Sequence, residues 1–209
     1  MLELFIAVLA SLFSVVNPLG AVPVFLALTP HYTPQERKRT AMHTGLYFTL
    51  ILLVFFFAGT FILSFFGISL NAMRIAGGMI IVSSGYSLLS GKFAESRAMN
   101  RKVRDEALEK DDISFAPMAM PMLSGPGSIS LLIGLFAEHH DWQAKAVVAL
   151  VIAFLGALVY FILNSAPYLY KLLGEAGLKA LSRIMGFLVM AIGVQYVISG
   201  IVQLVSTLV

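Results

Sequence analysis

The chain of 209 residues contains no cysteine, and that absence removes several chemistries together. A disulfide framework, a thiol nucleophile and a thiolate metal site are excluded, and the redox compartment leaves no trace in the sequence. Charge is also scarce, at 12% of the residues against the roughly 25% usual in soluble domains. No Gly-x-x-x-x-Gly-Lys sequence occurs, which disfavours an ATP-driven pump. No His-Glu-x-x-His motif and no pair of acids lies in an apolar segment, so an intramembrane enzyme would lack its reactive groups. A basic leading region is missing too, and Glu3 is acidic, so the first apolar run reads as a retained span rather than a signal peptide. What is abundant is apolar: 59% of the residues are hydrophobic and the mean hydropathy is +0.90, which places the chain in a membrane.

Six apolar segments can be read: Leu2 to Leu28, Met42 to Phe66, Leu70 to Leu89, Phe115 to Phe136, Ala144 to Leu163, and Ile184 to Val209. Each reaches the roughly 20 residues that a helix needs to cross a bilayer. None carries an ionisable residue at its centre, where a proton relay would show one, so a coupling ion, H+ or Na+, is left open. The formal net charge of +3 reports orientation rather than a nucleic-acid face. Arg37, Lys38 and Arg39 fall in the first loop, Lys92, Arg97, Arg101, Lys102, Arg104 and Lys110 in the third, and Lys171, Lys179 and Arg183 in the fifth. The other two, Arg74 and Lys145, lie in the second and fourth loops; Arg74 and Arg183, at span starts, read as interfacial anchors. Basic residues gather on the cytoplasmic side, so both termini are expected to face the periplasm or exterior of an inner-membrane protein. The charged stretch from Lys92 to Asp112 reads as a cytoplasmic linker between residues 1–91 and 113–209.

Two of the spans are interrupted. Asn17-Pro18-Leu19-Gly20 stands near the middle of the first, and proline inside a helix removes a backbone donor and clashes with the carbonyl four residues earlier. Asn before Pro also reads as a helix start, with the Asn side chain capping orphan N–H groups. The fourth span carries Pro117, Pro121 and then Ser124-Gly125-Pro126-Gly127-Ser128 near its centre. Irregular backbone at membrane depth is tolerated only inside protein or along a cavity, and matched breaks in two spans point to a transporter site.

The halves also resemble each other. Arg74-Ile75-Ala76-Gly77 aligns with Arg183-Ile184-Met185-Gly186, and nearly the same shift sets Pro18 on Pro126. Three spans per copy is an odd number, so the second copy enters the membrane inverted. The expected fold is all-α: six transmembrane helices as two inverted three-helix repeats, with discontinuous first and fourth helices in a single transmembrane domain.

Half-helices beginning at Pro18 and Pro126 present unpaired N–H groups and positive dipole ends, which suit an anion. Free carbonyls before each break suit an ammonium, so a zwitterion matches both. Gly20, Gly125 and Gly127 leave little room for bulk. The expected substrate site is Asn17, Pro18, Gly20, Ser124, Gly125, Pro126, Gly127 and Ser128, with Ser14 and Ser130 nearby. Tyr160, Asn164, Gln195 and Tyr196 read first as helix-to-helix hydrogen-bonding groups. Glu138-His139-His140-Asp141 has metal-ligating residue types, but neighbours in a loop project apart, and no metal or other cofactor is expected.

The Asn17-Pro18-Leu19-Gly20 motif, Pro121 with Ser124-Gly125-Pro126-Gly127, and six spans divided by a charged loop together resemble the MarC family of bacterial and archaeal inner-membrane proteins. The resemblance covers essentially the whole chain. It implies an inverted-repeat transporter, small neutral amino acids such as glycine and alanine as substrates, and a site at the two breaks on Asn17, Pro18, Gly20, Ser124, Gly125, Pro126 and Gly127. A structural or regulatory membrane subunit stands as the alternative, and an intramembrane enzyme behind it. Transport direction and oligomeric state are left open.

Overall fold

The computed structural model describes residues 1–90 and 112–206. Among these every regular element is helical: α1 (Leu2–Val16), α2 (Pro18–Leu28), α3 (Pro34–Phe65), α4 (Leu70–Leu89), the irregular α5 (Ser114–Leu123), α6 (Pro126–Glu138), α7 (Trp142–Asn164) and α8 (Ala166–Ser206). Five spans are long and apolar enough to cross a membrane, Leu2–Leu28, α3, α4, α7 and α8, and the α5–α6 pair, bent by 66°, makes a sixth if counted as one. All but one residue of the charged linker read between Lys92 and Asp112 lies outside the described residues; Asp112 accepts a hydrogen bond from the Ser114 N–H at 2.8 Å.

Local chemistry sets most boundaries. Ser69 accepts from the Ala72 N–H at 3.1 Å, so α4 starts at Leu70, where the apolar run begins. Two other starts differ from the sequence expectation. Helix α3 begins at Pro34, because Thr33 and Glu36 exchange capping-box bonds at 3.3 and 2.7 Å. Arg37, Lys38 and Arg39 are therefore helical rather than in a loop. Helix α8 begins at Ala166 and carries Lys171, Lys179 and Arg183 on helical backbone, although the apolar run starts only at Ile184. Its one interruption is Gly174, at φ 64° and ψ 177°, a conformation open essentially to glycine alone. Charged residues are good helix formers, so polarity marks where a helix leaves the apolar layer, not where it ends.

The first span is the centre of the protein. In its most apolar stretch 56% of the residues are buried, against 22% for α3, 33% for α4, 39% for α7 and 28% for α8. Val8, Leu12, Val15, Val16, Val22 and Phe25 form the heart of the core, while α3 turns Leu46, Leu50, Val54, Phe57, Phe61 and Phe65 outward, as a lipid-facing helix should.

Two antiparallel helix pairs brace this centre, both through glycine. A β-carbon on Gly78 of α4 would stand 2.8 Å from the Gly193 carbonyl of α8, and one on Gly85 would stand 2.8 Å from that of Gly186. Across α3 and α7, a β-carbon on Gly45 would lie 2.8 Å from the Gly156 carbonyl. Membrane helices gain nothing from hiding apolar surface from lipid, so close backbone approach at small residues supplies the attraction. Around these pairs, α6 packs on α3 and α4, α2 packs on α7 and α8, and α5 and α1 pack on α3 and α7 respectively.

Candidate functional site at the two helix breaks

The first break is a single residue. Asn17 sits at φ 48° and ψ 62°, the left-handed region that Asn tolerates better than other side-chain-bearing residues. Its N–H donates to the Phe13 carbonyl at 2.9 Å and closes α1, and its carbonyl accepts from the Gly20 N–H at 3.1 Å. Pro18 then occupies the first position of α2. The expected helix start is present, but the expected cap is not: the Asn17 side chain makes no capping bond. An N-cap residue aims its side chain at the following N–H groups from extended backbone, whereas left-handed Asn17 acts as the terminating residue of the preceding helix. Its amide is left without a hydrogen-bond partner on either Oδ1 or Nδ2, although the residue is only 1% exposed. A buried polar group in that condition costs about 1–3 kcal/mol.

The second break is longer. From Ser114 to Leu123 the chain makes wide turns, closed by Met118 N–H to the Ile113 carbonyl at 3.2 Å and Ser124 N–H to the Ala119 carbonyl at 2.8 Å. Extended residues Ala116 and Met120 separate the turns, and the Ala116–Pro117 and Met120–Pro121 peptides are cis. Gly125 is extended, and Pro126 opens α6 at its first position. The Ser124 hydroxyl is buried and, like the Asn17 amide, has no hydrogen-bond partner. Each break thus ends in a half-helix that begins with proline and carries one buried polar side chain with unused capacity.

The breaks come together. Helix α1 touches α6, α2 touches α5, and a β-carbon on Gly127 would lie 3.7 Å from Val15 Cγ1, so the last turn of α1 meets the first turn of α6. That β-carbon would also stand 2.9 Å from Ile81 Cγ1, so Gly127 seats α6 on α4. Pro18 and Gly20 are buried, and so are Gly125 and Ser128, whereas Pro126 is exposed. Ser14 and Ser128 donate to the carbonyls of Ala10 at 2.8 Å and Gly125 at 2.9 Å, so their hydroxyls are spent on their own helices. The Ser130 hydroxyl lies 2.7 Å from Met73 Sδ, and Tyr196 donates to the Ser130 carbonyl at 3.0 Å, joining α8 to α6.

Arg74 departs from its expected place. It is not an interfacial anchor but is 1% exposed, bonded to Glu138 and Gln203. The signal for it was an arginine inside an apolar run, which is expensive unless paired. With Glu138 on Arg74 and Asp141 capping α7 through the Gln143 N–H at 2.9 Å, both carboxylates of the metal-like stretch are engaged. No cluster of three or more His, Asp or Glu suited to a metal occurs among the described residues. Thr44 and Ser114 also carry buried hydroxyls without partners, and no feature of the sequence singled them out.

A multi-pass helical membrane protein with two interrupted spans meeting at its centre is the class defined by this fold. The chain belongs to the MarC family of integral membrane proteins, which matches residues 2–205. It is 40% identical to a UPF0056 membrane protein of Methanocaldococcus jannaschii over 96% of this chain and 97% of that one. It is 36% identical to a UPF0056 membrane protein of Buchnera aphidicola over 96% and 93%, and 33% identical to the UPF0056 inner membrane protein MarC of Escherichia coli over 99% of each. No solved structure matches the chain. Inner-membrane placement follows from this membership and from the apolar spans.

Proposed function

We propose that the chain is a secondary transporter of small neutral amino acids of the glycine and alanine kind, working by alternating access around the two breaks. The observation that carries this reading is the pair of buried, unpartnered polar groups, the Asn17 amide and the Ser124 hydroxyl, on the breaks of two spans that touch. An amide offers both donor and acceptor, and the start of each half-helix offers N–H groups and a positive dipole end for a carboxylate. The lack of a basic side chain at either break leaves the backbone as the carboxylate's partner.

The inverted repeat belongs to the same reading. The shift of 108 residues that carries Pro18 onto Pro126 also carries Gly78 onto Gly186 and Gly85 onto Gly193, one residue from the register that Arg74 and Arg183 suggest. Exchange of halves maps α4 on α8 and α3 on α7 onto themselves, and pairs α3–α6 with α7–α2. The substrate residues remain Asn17, Pro18, Gly20, Ser124, Gly125, Pro126, Gly127 and Ser128, with both termini outside and no enzymatic step.

Counterflow of labelled alanine in proteoliposomes tests the reading, with alanine and alaninamide as competitors. Alanine should compete and alaninamide should not, because the amide lacks the carboxylate that the half-helix starts receive. Equal competition, or no counterflow of alanine or glycine in correctly inserted protein, would sink it.

A further inference from the structure

Arg74 and Arg37 do related work at opposite ends of the protein. On α3, Arg37 donates to the Thr29 carbonyl at 2.8 Å and to its hydroxyl at 3.3 Å, just past the end of α2. On α4, Arg74 donates to Glu138 Oε1, the last residue of α6, at 2.8 Å, and also to Gln203 on α8. Each half-helix that starts at a break therefore has its far end tied by an arginine from a neighbouring helix. The ties differ in kind. Arg37 satisfies a carbonyl at a helix C-terminus, a contact that needs no second charge. Arg74 joins three helices through an ion pair, one member of which is 2% exposed and the other 41%. Water can reach the carboxylate but not the guanidinium.

Between that pair and the break, α6 leans on α4 along a groove of about 290 Å³ lined by Met73, Ala76, Gly77, Ile80, Ile129 and Ile133. Beside the groove α6 rests on α4 where Gly77 meets Ser130 and Gly127 meets Ile81, so the open groove and the ion pair at its end bound a short contact seam. A buried arginine left without its carboxylate is costly, so the made pair is strongly favoured over the parted one.

We propose that the Arg74–Glu138 pair is the latch of the gate on the membrane face where α6 ends. Made, it holds α6 to the α4–α8 pair and closes the route to the Gly125–Pro126 break; parted, it lets that face open. The inference rests on the transport reading above. Arg74 is a positioning residue in it, acting on the break through α6.

The absence of native cysteine makes the test direct. Ser124→Cys places a thiol at the break, and its reaction with a membrane-impermeant thiol reagent is timed in proteoliposomes from each face, with the exposed His140→Cys marking the face of Glu138. The expected rate from that face is low, and Glu138→Gln raises it about tenfold there and not from the other face, the scale set by one charge-assisted hydrogen bond. Reversing the pair, with Arg74→Glu and Glu138→Arg together, returns the low rate. If Glu138→Gln does not insert, Arg74→Gln with Glu138→Gln removes both charges and should open the same face. An unchanged rate in these inserted variants, with the thiol reactive from the other face, overturns the latch and leaves transport standing. A thiol unreactive from both faces in every variant overturns both, because no aqueous route then reaches the break.

Discussion

The two interrupted spans reach a similar end by unlike means. In the first, one left-handed residue, Asn17, separates two regular helices, and the polar group is the breaking residue itself. In the second, ten irregular residues with two prolines precede an extended glycine, the helices bend by 66°, and the polar group is Ser124. The first break is wrapped by the core; the second exposes Pro126. A buried break must satisfy its backbone with the fewest residues, and a single αL turn does so, since Asn17 uses both its N–H and its carbonyl. The second break also keeps most of its irregular chain buried, Pro117 to Ala119 and Met122 to Gly125, as unwound backbone at membrane depth requires.

The largest expected effect comes from removing the frame against which both breaks are positioned. Gly78→Leu drives a side chain into the Gly193 carbonyl and should destabilise the protein by about 3 kcal/mol, read as a lowered thermal midpoint and loss of monodisperse material in detergent. A midpoint equal to the parent's would mean that α4 and α8 do not form a common frame.

Next, the breaks should separate under a β-branched residue. Asn17→Val forces a side chain disfavoured at φ 48° and should cost about 2 kcal/mol together with transport. Ser124→Val, at φ −97°, carries no such strain and should spare stability more than transport. Equal destabilisation by the two substitutions would erase the distinction between a one-residue and a many-residue break.

Smaller again is Arg37→Ala, which removes the tie beyond α2 and should cost about 1.5 kcal/mol, the lower end of the range for a hydrogen bond that involves a charged group, read as a lowered thermal midpoint. The smallest stability change is expected from Ser124→Ala. Because the hydroxyl has no protein partner, its loss should leave the unfolding free energy within about 1 kcal/mol of the parent's or raise it, while alanine counterflow falls. A large loss of stability would reveal a structural bond at Ser124.

The places of both breaks were legible because proline and glycine act locally, and a helix cannot pass Pro18 or Pro126 unchanged. The bounds of α4 were legible for a similar reason, with Ser69 capping at the edge of the apolar run. The start of α3 was hidden because Arg37, Lys38 and Arg39 suit a helix as well as a loop, and only the Thr33–Glu36 capping box decides between them. The conformation of Asn17 was ambiguous, since Asn before Pro serves either as an N-cap or as a left-handed terminator. Arg74 inside an apolar run signals the need for a partner, but Glu138 lies 64 residues away, so which partner it takes is a product of the fold.

The central claim is that the Asn17 side chain, and not only the shape of its backbone, belongs to an amino-acid site. Asn17→Gly separates the two, because glycine accepts φ 48° freely and lacks the amide. Equilibrium binding of labelled alanine to parent and Asn17→Gly, with thermal midpoints measured alongside, is the most direct measurement. The account predicts a nearly unchanged midpoint and affinity weaker by about tenfold or more, as expected when a ligand loses a hydrogen bond in a buried site. Parent-like affinity in Asn17→Gly would contradict it and reduce Asn17-Pro18 to a turn in the backbone.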